Sequence, residues 1–148
     1  MATGMRNDLE RWLIHHDHTF ADVKDAESIF HIAVKDAGQF GVMIDIFEPN
    51  AQPGVLVIGA KVPLRNNQIA RYNTFGNDEK ANFEKKIAEF CHTIQAINRN
   101  VTEDGKRKVG IYVVLDDKAG INQQTVFEAI NKVAEMYEKT ARFLLKTF

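Results

Sequence analysis

Apolar residues recur at three- and four-residue spacing over the first sixteen positions, which places them on one face of a helix. They are Met5, Leu9, Trp12 and Leu13, and His16 continues the same face. We therefore expect a first helix from about Thr3 or Asn7 to about His16. The segment 17–25 is mostly polar, with Phe20 as its apolar anchor, and is predicted to be a connection.

The pattern then changes to the two-residue alternation that is typical of β-strands. Strands are predicted at Ser28–Lys35, Phe40–Glu48 and Val55–Val62. Ala37–Gln39 and Pro49–Gly54 supply the connections between them. Because parallel strands need a crossover of a dozen or more residues, such short connections indicate antiparallel pairing.

The second half of the chain predicts two further helices and one strand. Leu64–Gly76 is a polar loop, and a second helix opens at Asn77 or Asp78. Its apolar positions form a narrow seam of Phe83, Ile87, Phe90, Ile94 and Ile97. After a charged loop at Val101–Lys108, which contains an Asp104-Gly105 turn, the most apolar strand runs from Val109 to Leu115.

The last helix starts after Asn122, a good N-cap residue, and continues to the C-terminus. Its apolar stripe comprises Phe127, Ile130, Val133, Ala134, Tyr137, Ala141, Leu144 and Phe148. We find no repeat or linker and expect a single domain over residues 1–148. The fold class is α+β, an antiparallel sheet of about four strands with three flanking helices in the order α-β-β-β-α-β-α.

Several predicted strands are apolar on both faces, which is unusual for an antiparallel sheet unless both faces are covered. If the helices stack on one face, the other face presents an apolar patch for a partner. The predicted partner-binding residues are Met43, Phe47, Val55 and Val57. The alternative is that a helix covers this face within the monomer.

Composition limits the classes of function. Apolar residues are 45% and charged residues 26%, as in ordinary globular proteins. The net charge is −1, which disfavours nucleic-acid binding because such domains usually carry a basic footprint. The chain contains no apolar run of about 20 residues and starts without the apolar core of a signal peptide. We expect a cytoplasmic protein that does not enter a membrane.

Residues with catalytic or metal-binding chemistry occur in patterns that favour structural roles. His15-His16-Asp17-His18 could supply metal ligands, but neighbours at a helix end point in different directions. Asp116-Asp117 is read as part of a turn rather than a catalytic pair. Cys91, the single cysteine, cannot form an internal disulfide, and His92 is poorly placed to activate it. We therefore expect no metal site and no catalytic residue.

Two basic segments could meet phosphates or single-stranded nucleic acid. The first is Lys106-Arg107-Lys108, and the second is the loop with Arg65, Arg71, Tyr72 and Phe75. Glu103 and Asp104 partly neutralise the first segment, so a solvated loop is favoured. Because no P-loop or dinucleotide fingerprint occurs, no cofactor is predicted.

The element order resembles the type III secretion chaperone-like fold, a class of small prokaryotic domains. The segments Val109–Asp117, Gly120–Gln124 and Phe127–Val133 resemble an uncharacterised prokaryotic domain-of-unknown-function family of that fold. The secretion chaperones are acidic dimers that hold a partner polypeptide in extended form over apolar patches. The resemblance therefore implies protein binding and brings no catalytic residue.

From these observations we expect a non-enzymatic protein-binding or chaperone-like module. It is predicted to form a homodimer and to bind a partner polypeptide through the apolar patch. The alternative is a small-molecule-binding or enzymatic domain that uses the loop arginines or the histidine cluster. Convergent polar groups inside an apolar cleft would favour the alternative.

Overall fold

The computed structural model describes residues 2–38, 41–116 and 120–147. Over these residues the helices are α1 (Ala2–His15), α2 (Asn66–Asn73), α3 (Asn77–Thr93) and α4 (Gln123–Thr147). The strands are β1 (Thr19–Asp22), β2 (Ser28–Ala37), β3 (Val42–Pro49), β4 (Leu56–Pro63), β5 (Ile97–Glu103) and β6 (Lys106–Leu115). The predicted α+β class with an antiparallel sheet is confirmed.

The sheet has six strands in the described residues, in the order β1-β2-β3-β4-β6-β5, so the prediction of about four strands is wrong. The two additional strands lie at the ends of this order. β1 has four mostly exposed residues, too few to show an alternation. β5 lies where we predicted the end of a helix and a charged loop, and its residues are mostly polar.

The described part of the chain has four helices rather than three, and the element order is α-β-β-β-β-α-α-β-β-α. The additional helix, α2, lies in the segment predicted to be a polar loop. Its Gln68 is buried, and the Gln68 Oε1 atom accepts a hydrogen bond from the Arg65 N–H at 2.8 Å. A helix with one buried polar residue lacks the apolar stripe on which a helix prediction depends.

Some predicted features fall outside the described residues. Gln39 and Phe40, Asp117 and Phe148 are among these positions. They include the start of the second predicted strand, half of the Asp116-Asp117 pair and the end of the last helical stripe.

The chain divides into two compact units, whose boundaries lie within β4, β6 and α4. Unit 1 is Met1–Ala60 and Val113–Glu135, and unit 2 is Lys61–Tyr112 and Met136–Phe148. The single-domain organisation stays a prediction.

The core of unit 1 is formed by alternate residues of its strands and by the apolar stripes of its helices. Its fully buried large side chains include Leu9, Leu13, Ile32, Val34, Ile44, Ile46, Leu56, Ile58 and Ile130. Gly38 packs against α4 with φ of +69°, and a Cβ atom there would lie 2.6 Å from the Ala134 Cβ atom. Only glycine combines that left-handed backbone with so close an approach.

The core of unit 2 lies beneath α3, where Phe83, Ile87 and Cys91 are buried. The rest of the predicted seam is not a continuous helical stripe. α3 ends at Thr93, so Ile97 belongs to β5, where it is 53% exposed. The Phe90 ring, which is half-buried, stacks on the Phe143 ring with centroids 4.3 Å apart.

Candidate functional site

The predicted partner-binding residues cluster on the less buried face of β3 and β4 in unit 1. Along β3, Ile44 and Ile46 are buried, whereas Met43 is 56% exposed and Phe47 is half-buried. Phe47 pairs with Val57 of β4, which is also half-buried. We call Met43, Phe47 and Val57 the Met43 surface.

Val55, the fourth predicted residue, precedes β4. Its N–H donates to the Gln52 carbonyl oxygen at 3.2 Å, so its backbone belongs to the turn between β3 and β4. Its side chain is half-buried. Val55 therefore borders the Met43 surface at the turn and is not part of the strand.

A histidine lies between two carboxylates beside the Met43 surface. The Nδ1 atom of His31 is 3.0 Å from Asp25 Oδ2, and its Nε2 atom is 3.0 Å from Asp45 Oδ1. The His31 ring also packs against Phe47, with centroids 5.2 Å apart. Asp25 is fixed in turn by the Ser28 hydroxyl, which donates at 2.6 Å.

The geometry of His31 favours its protonated form, because only an imidazolium can donate from both ring nitrogens. Burial lowers the pKa of His31, but the hydrogen bonds with Asp45 and Asp25 outweigh burial and raise that pKa above its ordinary value. The Ser28 hydrogen bond is the largest cause of a lowered pKa for Asp25. His31, Asp25 and Asp45 therefore form a charged network, and the His31 ring in it packs against Phe47.

The histidine cluster at the end of α1 packs against α4 within unit 1. The His16 ring lies 4.4 Å from the Phe127 ring and the His18 ring 5.5 Å from it, both between centroids. The His16 Nε2 atom is 2.6 Å from the Gln123 amide nitrogen. Phe127 is half-buried, less than its predicted place in the core stripe implied.

These side chains line a surface depression of about 410 Å³. Its lining residues are His16, Gln123, Gln124, Phe127, Glu128 and Asn131. Among the residues that the structure describes, no group of three or more His, Cys, Asp or Glu side chains is arranged to hold a metal ion. The depression thus offers carboxamide, imidazole and carboxylate groups around an aromatic ring.

The two basic segments of unit 2 meet at Glu84, which accepts hydrogen bonds from Arg107 and from the Tyr72 hydroxyl, the latter at 3.4 Å. Arg107 is only 7% exposed, and its Nη2 atom donates to Glu84 Oε2 at 2.7 Å. Tyr72 packs against Phe83 with centroids 5.3 Å apart, while Arg65 and Arg71 are exposed on the α2 side. Arg107 is therefore a structural residue.

Cys91 is buried, and burial raises the pKa of its thiol to about 11. A nucleophilic cysteine requires the opposite shift. Asp116 follows β6, and its carbonyl oxygen accepts the Gly120 N–H at 2.9 Å, which fits the predicted turn.

Sequence reasoning missed the His31 network. His31 and Asp45 lie in two different predicted strands, and their contact depends on the pairing Ala33↔Asp45 and His31↔Phe47. The alternation determines which face each residue takes, but the exact pairing also depends on the geometry of the turn between the strands. None of the helices in the described ranges is long and apolar enough to cross a membrane.

Comparison with solved structures finds an uncharacterized protein from Methanothermobacter thermautotrophicus with 13% sequence identity and a TM-score of 0.75. The match covers 97% of this chain and 99% of that chain, and it shows a shared fold. No curated protein matches this sequence. Residues 5–144 match a family described as an uncharacterized conserved protein family, DUF2299. This confirms the predicted relation to a domain-of-unknown-function family, and the chain belongs to DUF2299.

Proposed function

We propose that this protein is a non-enzymatic, chaperone-like binding module whose Met43 surface takes an apolar segment of a partner polypeptide. The observation that carries the proposal is the exposure of Met43, at 56%, on a strand whose opposite face is fully buried. Methionine is flexible and polarizable, and such side chains adapt to partners of different shape.

The size of the Met43 surface favours a single segment as its occupant. A standard interface buries roughly 800 Å² on each partner, far more than one exposed and two half-buried side chains provide. The carboxylates of Asp25 and Asp45 border the surface and share His31, which can carry one positive charge, so carboxylates outnumber cations here. Complementarity then favours a segment with basic or neutral flanking residues.

The non-enzymatic character is supported by the state of the reactive groups. The Cys91 thiol is buried and protonated, and the histidines with resolved contacts pack against Phe127 and Phe47 or bind carboxylates. We further propose the type III secretion chaperone-like fold and a cytoplasmic location for this module. The antiparallel sheet with flanking helices supports the first of these.

The proposal is tested by placing a photo-crosslinking amino acid at Met43 in the native cell. The matched control carries the same amino acid at Arg71, which is also exposed. We expect a discrete polypeptide adduct at Met43 that the control lacks. The purified partner should then bind the unmodified protein, and Met43→Asp should abolish that binding while the protein stays folded. Equal binding by folded Met43→Asp would refute the proposal.

The homodimer expected from the sequence is a separate proposal. Light scattering at micromolar concentration should give about twice the chain mass of 16.8 kDa. A measured mass equal to that of one chain would contradict the homodimer and leave the proposal for the Met43 surface unchanged.

The depression beside Phe127 favours a second candidate function, the binding of a small molecule. Its carboxamides and the His16 ring can hydrogen-bond a planar polar ligand next to an aromatic ring. Titration with benzamide, followed by the amide resonances of Gln123 and Asn131, tests this candidate. We expect saturable shifts that Phe127→Ala removes, and shifts that do not saturate would count against it.

A further inference from the structure

Among the residues that the structure describes, no strand pairs with the outer side of the β5 backbone. β5 ends the strand order and pairs with β6 alone, through a hairpin that closes at Glu103↔Lys106. The turn residues Asp104 and Gly105 have φ of 54° and 74°, as a two-residue type I′ hairpin requires. The flanking Glu103 and Lys106 are then a hydrogen-bonded pair, and hydrogen-bonded positions alternate from there.

This alternation determines which groups face outward. Val101, Arg99 and Ile97 direct their N–H and C=O groups to β6, as Glu103 does. Thr102, Asn100 and Asn98 direct theirs to the outer side of β5. A seven-residue edge strand without proline or glycine is a ready template for another strand.

The side chains on one face of β5 alternate between apolar and basic. Ile97 is 53% exposed, Arg99 is exposed and Val101 is half-buried. They lie on the face of β6 that carries Tyr112, whose ring crosses Gly110. A Cβ atom at Gly110 would lie 2.7 Å from the Tyr112 ring and 3.1 Å from Val101 Cγ2.

Basic groups exceed acidic groups around this face. Lys61 and Lys108 both bind Glu103, at 2.8 Å and 3.2 Å, so one carboxylate serves two ammonium groups. Within the described ranges, the exposed Arg99 and Lys106 form no ion pair. A strand with acidic side chains, placed beside β5, would meet Arg99 as an oppositely charged cross-strand neighbour.

We propose that β5 is extended by one added strand from an acidic segment of a partner polypeptide, with Arg99 facing its carboxylates. Main-chain hydrogen bonds to Asn98, Asn100 and Thr102 provide the attachment, and the alternation Ile97, Arg99, Val101 selects an apolar–acidic–apolar sequence. This inference rests on the proposed function only in that the partner is a polypeptide. Its residues belong to unit 2, not to the Met43 surface.

The test uses short fluorescent peptides that alternate valine and glutamate, with a lysine-for-glutamate version and a single-stranded oligonucleotide as comparisons. We expect the acidic peptide to bind, and to shift the amide resonances of Asn98, Asn100 and Thr102 more than those of Arg99 and Val101. Equal binding of the lysine peptide, or binding of the oligonucleotide alone, would overturn the proposal.

Two variants remove the proposed contacts separately. Asn100→Pro deletes an outward N–H and should weaken binding of the acidic peptide about tenfold, as should Arg99→Glu. Arg71→Glu makes the same charge change on α2 and should leave the affinity unchanged. If Asn100→Pro does not fold, the test rests on Arg99→Glu. Unaltered binding of the acidic peptide by Arg99→Glu would refute the proposal. Met43→Asp should bind the peptide normally, which separates this result from a failure of the proposed function.

Discussion

The Met43 surface offers side chains to a partner, whereas the outer edge of β5 offers backbone hydrogen-bonding groups. Met43 lies on β3, which has strand neighbours on both sides, so its backbone is already paired and only side chains remain. In the described part of the chain β5 has a strand neighbour on one side only, so the outward N–H and C=O groups of its backbone are available, while its side chains are mostly polar. A partner at Met43 gains by burying apolar area, whereas a partner at β5 gains main-chain hydrogen bonds.

This difference also determines which of the two surfaces can be predicted from the amino-acid sequence. An apolar face appears as alternation within one strand, so Met43 and Phe47 could be identified from their own segment. An edge depends on the order of all strands in the sheet. The β5 edge therefore became visible only when its position beside β6 was known.

The largest expected effect compares two neighbouring residues of β3. Ile44 is 0% exposed, so Ile44→Asp buries an unpaired carboxylate and should lower the free energy of unfolding by at least about 4 kcal/mol. Met43→Asp places the same group on the exposed face and should change it by about 0.5 kcal/mol or less. Urea denaturation of both variants gives the two values. Similar losses in both would show that the face at Met43 is covered.

The elements with strong periodicity were predicted well from the sequence. The helices α1, α3 and α4 and the strands β2, β3, β4 and β6 all overlap predicted segments. The N-cap at Asn122 is confirmed, because its Oδ1 atom accepts the Thr125 N–H at 3.0 Å. In these segments apolar spacing and capping chemistry act locally, so one segment contains the whole signal.

The elements that were missed depend on contacts outside their own segments. β1 has only four residues, with Phe20 its one half-buried side chain. β5 has the polar composition of a loop, and its strand conformation follows from pairing with β6. The histidine motif at the end of α1 was visible, but its packing on Phe127 brings together residues more than a hundred positions apart.

A second prediction compares a buried, ion-paired arginine of unit 2 with an exposed one through the free energy of unfolding. Glu84→Ala leaves the buried Arg107 guanidinium without its carboxylate and should cost roughly 3 kcal/mol of unfolding free energy. Arg71→Ala removes an exposed cation and should cost almost nothing. Thermal and urea unfolding provide the comparison.

A combined Glu84→Leu and Arg107→Met variant sharpens this result. Because it removes both charges together, it should recover much of the stability lost in Glu84→Ala. No recovery would mean that Arg107 contributes through something other than its pairing with Glu84.

The smallest expected effect is a pH dependence that only the Met43 surface should show, because His31 borders it and β5 contains no histidine. The pKa of His31 is raised in the folded protein, since its hydrogen bonds with Asp45 and Asp25 outweigh the opposing effect of burial. Its contribution to stability is therefore complete below the ordinary histidine value of 6.5 and is lost as the pH rises through the raised pKa.

Asp25 acts in the other direction. Its pKa is lowered, chiefly by the Ser28 hydroxyl, so its contribution is complete above 3.8 and is lost as the pH falls through the lowered value. The network is strongest between these limits.

His31→Gln keeps a donor and an acceptor but cannot titrate. We expect it to be less stable than the natural protein by about 1 kcal/mol in mildly acidic buffer, with the difference shrinking as the pH rises. Urea unfolding of both proteins across this range measures it, and a difference that grows toward alkaline pH would show that His31 is neutral in the folded state. Binding of a segment with basic flanking residues at Met43 should strengthen over the same range, because the loss of the imidazolium charge leaves both carboxylates beside Phe47 uncompensated. Peptide binding at β5 should not change over this range.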